Sequence, residues 1–276
     1  MTERAQALQE WLETIVGSAR FSIEPASDDA SFRRYFRVTL PTGETRIVMD
    51  APPGQEECGP FLDLAGRFAA LGLHVPAVYG ADPARGFILL EDLGSTHYLD
   101  VLSADTADRL YGDALAALAI LQSIGPRQDL PLYDEALLRQ EMGLFRQWLL
   151  ERHLGLTLSE EESRILSQAM GLLAESALQQ PRVCVHRDYH SRNLLVTASP
   201  SPGIIDFQDA VLGPVTYDLV SLLRDCYVAW PEQRVREWAL GYYQLALQSG
   251  VLRSVPEERF LRWFDLMGVQ RHLKAS

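Results

Sequence analysis

Between residues 183 and 209 short apolar runs alternate with polar loops, and that alternation leaves few folds open. Val183–Val185, Leu194–Val196 and Ile204–Ile205 are β-branched or aliphatic and short, which predicts buried strands. Asp188 and Asn193 flank the loop after the first run, a Ser/Pro turn joins the next two, and Asp206 ends the last strand. Three oxygen-bearing side chains at one loop mouth have a chemical use. An alcohol is a poor nucleophile, so its phosphorylation needs a carboxylate to orient it and take its proton, and hard ligands to hold Mg²⁺ against the phosphate. Asp188 suits the first task. Asn193 and Asp206 suit the second, because magnesium takes few protein oxygens and completes its shell with phosphate and water.

The same residues carry a family resemblance. His186-Arg-Asp188-Tyr-His190-Ser-Arg-Asn193 resembles the H-x-D-x-H-x-x-N catalytic loop of the aminoglycoside phosphotransferase and choline kinase family. Ile205-Asp206-Phe207 resembles its I-D-[FW] metal loop, the counterpart of D-F-G in protein kinases. Gly213-Pro-Val-Thr-Tyr-Asp218-Leu219 is similar to the family's G-x-x-x-x-D-L-A segment. The resemblance implies that His186 and His190 brace the loop rather than shuttle protons, and that Asp218 braces the loop's backbone from the following helix. It also implies a bilobal, protein-kinase-like α+β fold. A small antiparallel-sheet lobe is expected over 1–92 and a mainly helical lobe over 93–276, with ATP in the cleft.

Composition narrows the partners. With 276 residues, 47% of them hydrophobic, the chain can bury a large core in one or two domains. A net charge of −12 argues against nonspecific nucleic-acid or membrane binding. Cys58, Cys184 and Cys226 lack metal-ligand spacing and are expected as reduced thiols of a cytoplasmic protein. The opening residues start an acidic amphipathic segment rather than a signal peptide, and no apolar run approaches transmembrane length.

In the first lobe, residues 3–16 predict a helix ending at Gly17, with Leu8, Trp11, Leu12, Ile15 and Val16 on one face. Strands are predicted over 21–24, 35–40 and 46–49. Between the first two lies the hairpin that the resemblance places over the nucleotide phosphates. It has no glycine, so Ser31, Arg33 and Arg34 are the candidate phosphate donors. Met49 occupies the place of the family's phosphate-pairing lysine, and no lysine precedes position 274. A helix is expected over 55–71; Glu56 and Glu57, with no lysine to meet, are expected in solvent. Strands around 75–79 and 86–90 lead into Glu91-Asp-Leu93-Gly94, which resembles the hinge whose backbone groups read adenine.

Beyond the hinge the pattern turns helical, over 107–124, 134–153 and 160–180, with Leu137, Leu138, Met142, Phe145, Trp148 and Leu149 expected inward on the second. The resemblance puts Glu141 and Arg139 near the acceptor, although an ordinary amphipathic face is the competing reading. Arg192, Asp209, Arg224 and Asp225 are further candidates to line the acceptor site. A last helix is expected over 262–273, and members of this subtype generally carry more helical sequence.

Ser31–Val38, Met49-Asp-Ala-Pro-Pro53 and Glu91–Gly94 resemble the bacterial cell-wall-recycling branch of the family, whose members phosphorylate the anomeric hydroxyl of N-acetylmuramate and N-acetylglucosamine. That lineage implies an amino-sugar substrate. A carboxylated acceptor implies an arginine in its pocket, whereas a polycationic aminoglycoside implies carboxylates. The missing lysine and the glycine-free hairpin also fit a nucleotide-binding pseudokinase with a regulatory role.

Overall fold

The computed structural model describes residues 2–26 and 32–275. The chain divides into two compact units, Met1–Ser95 and Thr96–Ser276.

In the first unit, α1 (Glu3–Val16) is capped by the Thr2 hydroxyl and stopped by Gly17 in the left-handed region at φ 71°. β1 (Ser22–Pro25), β2 (Arg34–Thr39), β3 (Thr45–Asp50), β4 (Val78–Asp82) and β5 (Phe87–Glu91) form one sheet in the order β1-β2-β3-β5-β4. Every neighbouring pair is antiparallel. Leu8, Trp11 and Leu12 of α1 pack with Val38, Val48, Phe87 and Leu89 of the sheet, because the 3.6-residue period of the helix meets the two-residue period of the strands. Gly86 turns the chain between β4 and β5 at φ 75°, and a Cβ there would lie 1.8 Å from the Ala51 carbonyl oxygen. The turn therefore requires glycine.

Helix α2 runs Gly59–Ala70, shorter at its start than the pattern predicts, with Gly59 and Pro60 in its first turn. Glu56 lies ahead of it and is not left to solvent: it pairs with Arg33 at 2.6 Å. The missing lysine predicted a solvated residue, but a partner comes from the irregular stretch before β2.

The second unit holds α3 (Tyr98–Val101), α4 (Ala107–Ile124), α5 (Glu135–Leu144) and α6 (Glu160–Leu178), then β6 (Arg182–Val185), β7 (Leu194–Leu195), β8 (Gly203–Ile204) and β9 (Val211–Pro214). Helices α7 (Tyr217–Leu223), α8 (Glu232–Gln248) and α9 (Glu257–Ala275) follow. β6 pairs with β9 and β7 with β8, both antiparallel. Ala-rich α4 buries Leu110, Ala114, Leu118 and Leu121 along one stripe, and Ser159 caps α6 in a reciprocal box with Glu162.

The predicted helix over 134–153 is α-helical only to Leu144. Residues Phe145–His153 form a π-helix. Its wider turn breaks the 3.6-residue phase, so Phe145 and Leu149 are only half-buried and Trp148 is 51% exposed rather than facing the core. No helix among the described residues is long and apolar enough to cross a membrane.

Candidate active site

β6 delivers the chain into the loop and β7 takes it out, so loop geometry is set by what holds residues 186–193. Tyr189 is fully buried and donates its hydroxyl to the Ala114 carbonyl of α4 at 2.8 Å. Asp218, in the first turn of α7, accepts the backbone N–H of His186 at 2.7 Å and of Arg187 at 3.0 Å. Asp225 does the same further along, accepting from Ser191 N–H at 2.9 Å and Tyr227 N–H at 3.0 Å. Its work is therefore in the loop's backbone, not among exposed acceptor-side charges.

His186 joins this loop to the next one. Its Nδ1 accepts the Asp188 N–H at 3.3 Å and its Nε2 meets the Ile205 carbonyl at 3.0 Å, a network that fits the Nε2-protonated tautomer. Burial pushes the imidazole pKa down, keeping it neutral in that role. Further stitches come from Asn193, whose carbonyl accepts the Ile205 N–H at 3.1 Å and whose Nδ2 donates to the Asp188 carbonyl at 3.0 Å and to Asp206 Oδ2 at 3.1 Å. Gln208 donates to Asp206 Oδ1 at 2.8 Å. His190 packs edge-on to Tyr227, with ring centroids 5.5 Å apart.

Two residues flanking this chemistry sit in the left-handed region without being glycine: Arg187 at φ 78° and Asp206 at φ 65°. Such backbones cost roughly 1–3 kcal/mol each and persist only where the surroundings over-determine them. Here they do. Burial pushes the Asp188 carboxyl up, but the Lys274 ammonium and the Arg271 guanidinium outweigh it and hold the group below the usual carboxylate range. The structure thus brings an ionised carboxylate, a carboxamide and an exposed second carboxylate onto two stitched loops.

The phosphotransferase enzyme family matches residues 22–264, across both units. The chain belongs to that family. An N-acetylmuramate/N-acetylglucosamine kinase of Pseudomonas putida is 47% identical over 265 residues, 96% of this chain and 76% of that protein. A protein of the same name from Pseudomonas aeruginosa is 50% identical over 251 residues, 91% of this chain and 74% of that one. Among solved structures, the ADP-bound aminoglycoside phosphotransferase APH(2'')-Ib superposes with a TM-score of 0.64 at 16% identity, covering 97% of this chain and 98% of its own. The fold is accordingly the bilobal, kinase-like one of the aminoglycoside phosphotransferases.

The remaining candidates in this phosphotransferase are scattered. Ser31 lies outside the described residues. Arg33 pairs with Glu56, and Arg34, half exposed, pairs with the buried Asp50, which Arg4 of α1 also holds at 2.5 Å. Met49 is fully buried in β3 opposite Tyr35 and Ile88. The Glu91 N–H is spent on the Ala77 carbonyl at 2.8 Å, whereas the backbone groups of Leu93 take no partner among the described residues. Arg37 grips Asp92 through two bonds of 2.6 and 3.0 Å, which hold the Asp92 carboxyl low against the burial that raises it.

In the second unit, Arg192 is exposed, with its guanidinium 5.1 Å from the Tyr227 ring, and Asp209 is exposed beside Gln208. Arg224 is committed to Glu232 and Asp265 at 2.7 and 2.8 Å, and Arg139 to Glu135 at 2.7 Å. Glu141 is not an ordinary solvated face. Only 5% exposed, it accepts from Arg187 at 2.6 Å, from the Tyr133 hydroxyl, and pairs with Lys274 at 3.2 Å. Sequence reasoning missed Arg271 and Lys274 altogether. The one available signal was that Lys274 is the chain's single lysine.

Proposed function

We propose that this chain transfers the γ-phosphoryl group of ATP to the anomeric hydroxyl of N-acetylmuramate or N-acetylglucosamine, as a step in peptidoglycan recycling. The observation that carries the reading is half identity, over more than nine-tenths of the chain, to relatives bearing that name. Local chemistry supports it. Asp188 is the proton acceptor: ionised and backed by Arg271 and Lys274, it orients the acceptor hydroxyl and takes its proton as transfer proceeds.

The residues fit a magnesium ion. Asp206 and Asn193 offer a carboxylate and a carboxamide, and the described residues form no group of three or more His, Cys, Asp or Glu that would enclose an ion unaided. Such a donor set suits a cation that keeps water and phosphate oxygens in its shell. When bound, Mg²⁺ neutralises phosphate charge; the chain's part is to present the two oxygens, Gln208 steadying the carboxylate from its other side. Leu93, whose backbone groups take no partner among the described residues, is the adenine reader, and Arg33 and Arg34 are the candidate phosphate partners of the first unit.

ADP release is the test, measured with Mg-ATP and N-acetylmuramate, N-acetylglucosamine or kanamycin. Turnover on the amino sugars alone supports the proposal. Turnover on kanamycin replaces it with an antibiotic phosphotransferase, and nucleotide binding without turnover on any acceptor replaces it with a pseudokinase. Asp206→Ala is expected to weaken Mg-nucleotide binding by about tenfold or more, as losses around a metal ligand do. Calorimetric titration with Mg-ATP checks it, and unchanged affinity would remove Asp206 from the metal site.

A further inference from the structure

We infer that Arg271, on the penultimate turn of α9, is a positioning residue for Asp188. It holds the peptide unit that joins Arg187 to the proton acceptor, and Lys274 holds the partners of Arg271 in place. The inference rests on the reading of Asp188 given above.

One peptide plane links Arg187 to Asp188. Its carbonyl belongs to Arg187 and its N–H to Asp188. Arg271 Nη1 donates to that carbonyl at 3.2 Å, and His186 Nδ1 accepts that N–H at 3.3 Å. The plane is therefore gripped on both edges, and its orientation decides where the Asp188 side chain points. The grip is needed because Arg187 stands at φ 78°, where a non-glycine backbone relaxes unless restrained. Two other handles of Arg187 are taken too. Its N–H goes to Asp218 and its guanidinium to Glu141.

Arg271 is itself fixed. The same Nη1 donates to the Tyr217 hydroxyl at 2.7 Å, and the guanidinium carbon lies 4.7 Å from that ring's centroid. Tyr217 is fully buried and immediately precedes Asp218, so one residue pair of α7 anchors both the N–H and the carbonyl side of Arg187. Lys274, one turn on, donates to the same hydroxyl at 3.2 Å and pairs with Glu141 at 3.2 Å. It thus closes a ring of contacts among α5, α7, α9 and the loop. One Nη1 at the end of a rigid planar group meets hydroxyl and carbonyl together; lysine's shorter, more flexible stem does not hold its ammonium at that point.

Arg271→Ala and Arg271→Lys test the inference, with kcat and KM for Mg-ATP and sugar, circular dichroism and unfolding temperature measured beside wild type. A displacement of the acceptor of about 1 Å lowers turnover by up to about a hundredfold. Both variants are therefore expected to lose roughly tenfold or more in kcat with KM for Mg-ATP unchanged. Arg271→Lys is expected to keep wild-type circular dichroism and melting, and added ethylguanidinium to recover part of the kcat of Arg271→Ala. Wild-type kcat in Arg271→Lys overturns the inference, as does a loss that only tracks the unfolded fraction. A wild-type chain that turns over none of the acceptors defeats the reading of Asp188 and this inference with it.

Discussion

Asp188→Asn is expected to lower kcat by roughly 10²–10⁴-fold, the usual contribution of a positioned acid or base, while Mg-ATP still binds. The substitution is nearly isosteric, and the contacts that shape the loop do not pass through the carboxylate. Asp188 meets His186 through its N–H, and His190 and Asn193 through its carbonyl. Asn193 and Asp206 should therefore keep their 3.1 Å contact and their grip on the metal. What disappears is the oxygen that takes the proton, together with a negative charge facing Lys274 and Arg271. Those cations retain Glu141, Tyr217 and the Arg187 carbonyl, so the fold should tolerate the change. Steady-state ADP release and nucleotide titration on the same preparation check both halves. A variant that turns over like wild type would falsify the role given to Asp188.

Much of this site was legible because it is local. Residues 183–209 fold on themselves: the apolar runs become β6, β7 and β8, and the polar residues between them have nowhere to go except the loop mouths. The bounds of α4 were equally plain, since its Ala/Leu stripe keeps one phase from Ala107 to Ile124. Period fails where the helix type changes. At Leu154 the N–H reaches back five residues to the Leu149 carbonyl, and a 3.6-residue count carried through that stretch turns Trp148 the wrong way.

The illegible part is long-range. Glu141 on a charged helix face looks solvated until Arg187, 46 residues later, and Lys274 close on it. Arg271 lies 84 residues from the carbonyl it meets, on a helix where Arg259 and Arg262 are exposed. No spacing rule links such positions, because the link is made by the packing of α5, α7 and α9 and not by any one element. Glu56 and Arg33 repeat the point in the first unit. Sequence gives the residues that do chemistry more readily than those that aim them.

Asp218→Ala should be the most damaging single change to stability. It removes two acceptor oxygens from a site with no solvent, stranding the N–H groups of His186 and Arg187 at about 1–3 kcal/mol each. For a unit of this size a loss of that order lowers the unfolding temperature by roughly 5–20 °C. Asparagine is no remedy, since it keeps one acceptor and turns an amide N–H₂ toward the second donor. The loss should also depend on pH. Burial pushes the Asp218 carboxyl up to about 7, against the pull of the two N–H groups and of Arg271. A folded pKa above the unfolded one means that the proton favours the fold: the charged form is a burden above pH 7, relieved as pH falls toward the ordinary aspartate range. The gap between wild type and Asp218→Ala is therefore expected to be wider at pH 6 than at pH 8. Denaturant titrations at the two pH values measure it. A gap of the same size at both pH values means the carboxylate is held ionised throughout, and no gap at either means the loop is braced by something other than Asp218.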